Sequence, residues 1–257
     1  MKTKILLFVS ALALLTSCAN STATGAQGRP DYSQIESENQ KQMEEIDGQI
    51  ETLSGKSPSS NPDQTELTEA EIEGIMLMRE EEKLARDVYM FLYDRWNQRI
   101  FANIARSEQM HMNAVGRLIQ AYDLTDPIDG DETRGVFENF TLQKLYNTLT
   151  SQGSKTAEDA FLVGMTIEDL DIYDLQKLMQ ETNNEDIQRV YSHLLRGSEN
   201  HMGAFYNQIE KNGFASYSPQ YISQADYDKI VSSNLRGGQN HGGGRRRGRG
   251  GGGRGSK

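Results

Sequence analysis

The sequence of 257 residues contains a single cysteine, Cys18. A disulfide within the chain is therefore excluded, and so is a metal cluster held by several thiolates. Near that cysteine the apolar run Ile5 to Leu15 is too short for an ordinary membrane-spanning helix, which needs ~20 apolar residues. The last stretch of the chain has no acid at all: Arg236, Arg245, Arg246, Arg247, Arg249, Arg254 and Lys257 are uncompensated there. All 37 acids lie instead between Cys18 and Arg236, where they outnumber the bases by 19. A body this acidic attracts cations and repels nucleic acid.

The two ends are not fold. Lys2 and Lys4 precede the apolar run, which closes on Leu15-Thr16-Ser17-Cys18, the layout of an export signal with a small-residue cleavage site. Leu-Thr-Ser-Cys resembles a bacterial lipobox, which implies that Cys18 becomes the lipid-modified first residue of an exported protein anchored in the cell envelope. From Arg236 onward the chain is Gly/Arg-rich and cannot bury a core. Arg-Gly repeats are similar to RNA-binding segments, but an exported acidic protein favours a disordered cationic tail lying on anionic envelope surface or on its own body. The expected organisation is a signal peptide over 1–18, a polar tether over 19–67, a helical domain over 68–211, an extension over 212–235 and the tail over 236–257. Within the tether, Ile35, Met43, Ile46, Ile50 and Leu53 could support one weak helix.

The domain reads as all-α. Thr68 and Glu71 form a capping-box pattern that predicts a helix from about Glu69 to Trp96. Its apolar seam steps through Ile75, Met78, Glu82, Ala85, Tyr89 and Leu92, with Glu82 as the charge inside it. A neighbouring stripe through Leu77, Glu81, Leu84 and Val88 is almost as apolar, so Glu81 stays an alternative. Taken alone, the run of three glutamates and a lysine reads as a solvated face. A second helix over Ile104 to Tyr122 places Glu108 and His111 one turn apart in a seam with Ile104, Val115 and Leu118. Residues 123–155 are too long for a tight turn and hold a short helix from Phe140 to Leu149, as in a crossover. A third helix, about Thr156 to Gln180, carries Phe161, Gly164, Glu168, Asp171 and Leu175 on one face. The fourth, about Glu185 to Asn212, carries Ile187, Tyr191, Leu194, Ser198, His201 and Phe205.

Each seam is thus interrupted near its middle by groups that ligate metals. Burying carboxylates and imidazoles without compensation costs several kcal/mol, and a hard or borderline cation supplies that compensation. The expected ligand set is Glu82, Glu108, His111, Glu168, Asp171 and His201. Tyr89, Tyr122 and Tyr191 lie on the same stripes and read as core aromatics with hydroxyls able to reach ligands.

Four stretches, MREEEKLARDVY, ARSEQMHMNA, VGMTIEDLDIYDL and LLRGSENHMGAF, together resemble the ferritin-like superfamily and, within it, the DUF2202 domain family over 68–211. The resemblance implies a four-helix bundle with a long crossover between its second and third helices. EKLARDVY is similar to the first helix of rubrerythrin-like proteins, which selects Glu82 over Glu81. The same pattern implies a carboxylate from the first helix, Glu-x-x-His from the second, a carboxylate from the third and Glu-x-x-His from the fourth. This chain departs at the last, with Ser198 three residues before His201. Glu199, two residues before His201, points about 160° around the helix from it. Asp171 is expected to supply the missing oxygen. The implied function is an envelope-anchored protein binding iron, expected as two ions, and oxidising Fe(II) with dioxygen or peroxide. Manganese and zinc are alternative ions. The rival readings are a non-catalytic carrier of Mn, Zn or Cu and a bundle used for protein contacts. The expected partners are metal ions, the membrane through the lipid on Cys18, and a second copy of the chain; nucleic acid is not expected.

Overall fold

A computed structural model describes residues 66–128 and 133–237. Cys18, the tether with its weak helix, and the tail from residue 238 lie outside the described residues. The described part is helical throughout, in six helices: α1 (Glu69–Trp96), α2 (Arg99–Ala121), α3 (Phe140–Gly153), α4 (Ala157–Gln180), α5 (Glu185–Asn212) and α6 (Gln224–Gly237).

The boundaries follow from local chemistry. Thr68 Oγ1 accepts the Glu71 backbone N–H at 3.2 Å while Glu71 returns a carboxylate oxygen to the Thr68 N–H at 2.8 Å, so both halves of the capping box form. Thr156 and Asn184 cap α4 and α5 through their side chains, and Asn139 does the same for α3. α1 stops where Asn97 adopts a left-handed φ of 51°, a conformation asparagine tolerates better than most residues, and the chain reverses at once into α2.

α1 packs on α2 and α4, and α5 packs on the same two, so the four long helices form a ring with α1 opposite α5 and α2 opposite α4. The diagonal pair α2 and α4 run parallel, so the link between them must traverse the length of the bundle. That explains the long connection, whose helix α3 lies against α1 and α4.

The buried apolar residues fall into two clusters along the bundle axis. One holds Ile75 and Met78 of α1, Val115 and Leu118 of α2, Leu175 of α4 and Tyr191 of α5. The other holds Tyr89 and Leu92 of α1, Phe101 and Ile104 of α2, Phe161 of α4 and Phe205 of α5. Sequence order along each helix shows that ring neighbours run antiparallel. Between the clusters every long helix contributes buried polar groups: Glu82, Glu108, His111, Glu168, Asp171, Ser198 and His201. The EEEK run is part of this layer. Glu80, Glu81, Glu82 and Lys83 are all buried: Glu82 faces the bundle centre and Glu81 faces α4, while the crossover covers the face that carries Glu80 and Lys83. Lys83 Nζ donates to Asp87 and to the carbonyls of Thr133 and Val136, and two backbone N–H groups of the crossover donate to Glu80.

The segment after α5 folds back onto the bundle through Asp169. This fully buried carboxylate accepts the Tyr217 hydroxyl at 2.7 Å and the backbone N–H groups of Gln220, Tyr221 and Ile222. Sequence periodicity assigned no helix to 224–237, a short stretch beside the low-complexity tail. Replacement Asp169→Ala strands four donors at once. It should cost about 3 kcal/mol of stability and expose residues 214–223 to early proteolytic cleavage, which limited digestion would report.

Candidate metal centre

Glu82, Glu108, His111, Glu168 and His201 converge in the polar layer, one or two from each long helix. His111 Nδ1 lies 2.8 Å from Glu108 Oε2 and 3.2 Å from Glu82 Oε2. His201 Nδ1 lies 2.9 Å from Glu108 Oε1 and 3.5 Å from Glu168 Oε2. Glu108 therefore faces both histidines, one oxygen to each. The five residues make two triads, Glu82–Glu108–His111 and Glu108–Glu168–His201, each close enough to share one ion and joined through Glu108. The imidazole centroids are 5.6 Å apart.

The helical spacing explains this convergence. Glu108 and His111 are one turn apart on α2, so a single helix offers a carboxylate to both triads while α1 completes one and α4 with α5 the other. Gly197 makes room: a Cβ there would collide with Cε1 and Nε2 of His111, so the ring can lie against the backbone of α5 only because residue 197 has no side chain. His193, one turn before Gly197, meets the His111 ring edge-on at 5.4 Å between centroids. Ser107 Oγ lies 3.0 Å from His201 Nε2 and orients that ring from the side away from the carboxylates.

Charge shows what the layer lacks. Four carboxylates, Glu82, Glu108, Glu168 and Asp171, face two imidazoles, so even with both histidines protonated the layer keeps an excess of acid. The bases nearest in sequence are engaged elsewhere: Arg79 with Asp126 and the Met112 carbonyl, Lys83 with Asp87, and Arg86 with Asp87 and Gln109. Burial pushes the Glu82 carboxyl up to about 7 against the pull of His111, and it raises Glu168 and, more strongly, Asp171. Burial acts the same way on Glu108, but the imidazoles of His201 and His111 outweigh it and hold that carboxyl far below its usual range. Desolvation would lower both histidines, yet the facing carboxylates win, taking His201 up to about 10 and His111 well above its usual value.

Direction matters as well as distance. Although carboxylate oxygens stand 2.9 and 3.5 Å from His201 Nδ1, none meets it with hydrogen-bond geometry, and Glu82 Oε1 has no donor. Buried polar atoms without directional partners are costly. Nitrogen and carboxylate oxygens converging on shared points are what a divalent cation uses, so the donor set fits iron, manganese or zinc.

Asp171 is placed differently. It accepts a hydrogen bond from Ser198 Oγ and stands beside the triads, within electrostatic reach of Glu82, Glu168 and Glu108. The serine where the resembling pattern has a glutamate thus holds an acid from the next helix. Glu199 turns away toward α6, where it feels Lys229 and Asp226.

Of the three tyrosines on these stripes, Tyr89 reaches a candidate ligand: its hydroxyl donates to Glu168 Oε1 at 2.5 Å. Tyr122 bonds instead with Asn184, and the Tyr191 hydroxyl has no partner. Tyr89→Phe should leave the bundle folded and weaken metal at the Glu168–His201 triad about tenfold, the range typical for loss of a ligand-orienting partner. Competitive titration against a chelator measures it. Sequence reading passed over Gly197, Ser107 and His193. A glycine in a helix interior was the available signal for the first, and nothing in the spacing marked the other two.

Residues 71–234 match the DUF2202 family, described as an uncharacterized protein domain. The chain is 50% identical over 182 residues to the uncharacterized protein MJ0754 of Methanocaldococcus jannaschii, an alignment spanning 71% of this chain and 97% of the relative. It is similar to the crystal structure of hypothetical protein MJ0754 from Methanococcus jannaschii with a TM-score of 0.64 and 50% identity, over 68% of this chain and 98% of that one.

Proposed function

The chain belongs to the DUF2202 family, and from the layer its bundle encloses we propose that it is a ferritin-like protein that binds two iron ions and oxidises Fe(II) with dioxygen or peroxide. The observation that carries this reading is the shared carboxylate: Glu108 offers one oxygen to each of two histidine-containing triads. Such sharing favours two ions held as a pair over one isolated ion. Glu82 and His111 would complete one position, Glu168 and His201 the other. When bound, iron supplies one electron per Fe(II) to the oxidant, so the pair provides two. The protein holds the geometry. Carboxylates favour the harder oxidised ion, the imidazoles retain the ferrous one, and Tyr89 and Ser107 fix Glu168 and His201 from behind. The two apolar clusters keep bulk water from either side of the layer.

Adding two equivalents of Fe(II) to metal-free protein in air tests the activity. The expected result is oxidation of both equivalents faster than in buffer, with matching uptake of oxidant. Tight retention of Fe(II) without oxidation would favour the carrier reading, which the replacement of a fourth-helix glutamate by Ser198 makes the natural rival. We also propose that Cys18 anchors the protein by lipid in the cell envelope, on the strength of the Leu-Thr-Ser-Cys sequence. Cys18→Ser should shift the protein from membranes to the soluble exported fraction, and fractionation reads this directly.

A further inference from the structure

A second group of acids lies on one flank of the centre and plays no part in the two triads. Glu81 of α1 faces Asp174 of α4 carboxylate to carboxylate and feels the charge of Asp171. Glu81 and Asp174 are each only 6% exposed, and both oxygens of Glu81 and Oδ2 of Asp174 have no donor. Glu81 and Asp171 also line a cavity walled by Leu142, Leu145 and Leu149 of α3 and bordered by Tyr221. Glu81 thus borders the same cavity as Asp171, the acid that Ser198 holds beside the triads. Tyr221 lies close enough to feel the charge of both Glu81 and Asp174, and the N–H groups donated to Asp169 keep it there.

The opposite flank differs. There His193 meets the His111 ring edge-on, and the Arg196 guanidinium lies near it. A cation approaching from that side meets the Arg196 guanidinium, whereas on the Glu81 side it meets carboxylates. Lys177 tempers Asp174 without reversing the sign of an acid triplet.

We propose that Glu81, Asp174 and Asp171 form an outer carboxylate site through which a divalent cation passes into the histidine centre, with Tyr221 covering its mouth. The inference rests on the proposed metal centre. A transit site must hold its ion loosely enough to release it, which suits a site that does not complete a close three-ligand chelate. Hard cations with oxygen preference are its class of ligand.

The test is the rate at which Co(II) enters metal-free full-length protein, followed by its absorption in anaerobic stopped flow. The isosteric double variant Glu81→Gln/Asp174→Asn should reach the wild-type stoichiometry at least tenfold more slowly. It should also fold at least as well without metal, since it replaces two facing buried acids by neutral amides. Tyr221→Ala should load faster than wild type. The charge-matched surface variant Glu73→Gln/Glu210→Gln should load as wild type does, which separates a local route from general attraction to an acidic body. Wild-type loading rates in the buried double variant overturn the proposal, as does equal slowing in the surface control. A buried double variant that ends short of the wild-type stoichiometry overturns it too, since those acids would then be ligands of the centre itself. If wild-type protein takes up no Co(II), the metal centre fails and the route with it; if wild type loads and the buried double variant is not slowed, the route alone fails.

Discussion

Glu108→Ala should empty both metal positions, whereas removal of any other single ligand should spare one of them. The difference follows from sharing. Glu108 faces His111 through one oxygen and His201 through the other, while Glu82 and His111 serve one triad and Glu168 and His201 the other. Metal content should fall from about two ions per chain to near zero in Glu108→Ala, and to about one in His111→Ala or His201→Ala. Glu199→Ala should retain the wild-type ratio, because its side chain faces α6 rather than the layer. The alanine at 108 also leaves two buried imidazoles without their common carboxylate, so Glu108→Gln is the companion variant: it keeps the volume and one coordinating oxygen. Elemental analysis of the purified variants reads the series. Equal loss in all the ligand variants would mean one ion held by the whole set, and full retention in Glu108→Ala would remove the shared-carboxylate geometry altogether.

Removing metal should lower the melting temperature, and by more as pH rises. A ligand present at a hundred times its dissociation constant adds about 2.7 kcal/mol to the folded state, which for a domain of this size is roughly 5–10 °C. The pH dependence comes from what compensates the acids when the ion is gone. His201 faces Glu108 and Glu168 with the His111 ring alongside, and its folded pKa near 10 exceeds its unfolded value. Its stabilising contribution is complete below about 6.5 and is lost as pH climbs toward 10. Glu82 works in the same direction: a carboxyl raised to about 7 by burial costs stability increasingly between about 4.5 and 7. Metal-free protein should therefore melt lower at pH 9 than at pH 6. Bound metal replaces the histidine protons, so the gap between the metal-bound and metal-free forms should widen over that range. Melting curves with and without chelator at the two pH values check both the sign and the size.

Much of the bundle was legible because its signals are local. The capping box at Thr68 and the three-four stepping of the seams located α1 and α5 from one end to the other, and the length of the connection announced that α2 and α4 are not neighbours. The polar residues of the seams could be read for the same reason: one face of a helix is fixed by spacing alone. What spacing could not give is which faces a distant segment covers. Glu80 and Lys83 are buried by the crossover, and Asp169 by the C-terminal segment, through bonds spanning roughly fifty residues of sequence. The division of the ligands into two triads is likewise a matter of side-chain direction across four helices. So is the role of Ser198, which seemed a gap in the ligand pattern and instead holds Asp171.

The central claim is that Glu108 joins two metal positions. Crystals of the protein grown with Fe(II) under exclusion of oxygen, with anomalous differences recorded on either side of the iron absorption edge, address it most directly. The account predicts two anomalous peaks, one among Glu82, Glu108 and His111 and the other among Glu108, Glu168 and His201, with the Glu108 carboxylate between them. A layer with no anomalous peak, and with the histidines hydrogen-bonded to the carboxylates in their place, would contradict it.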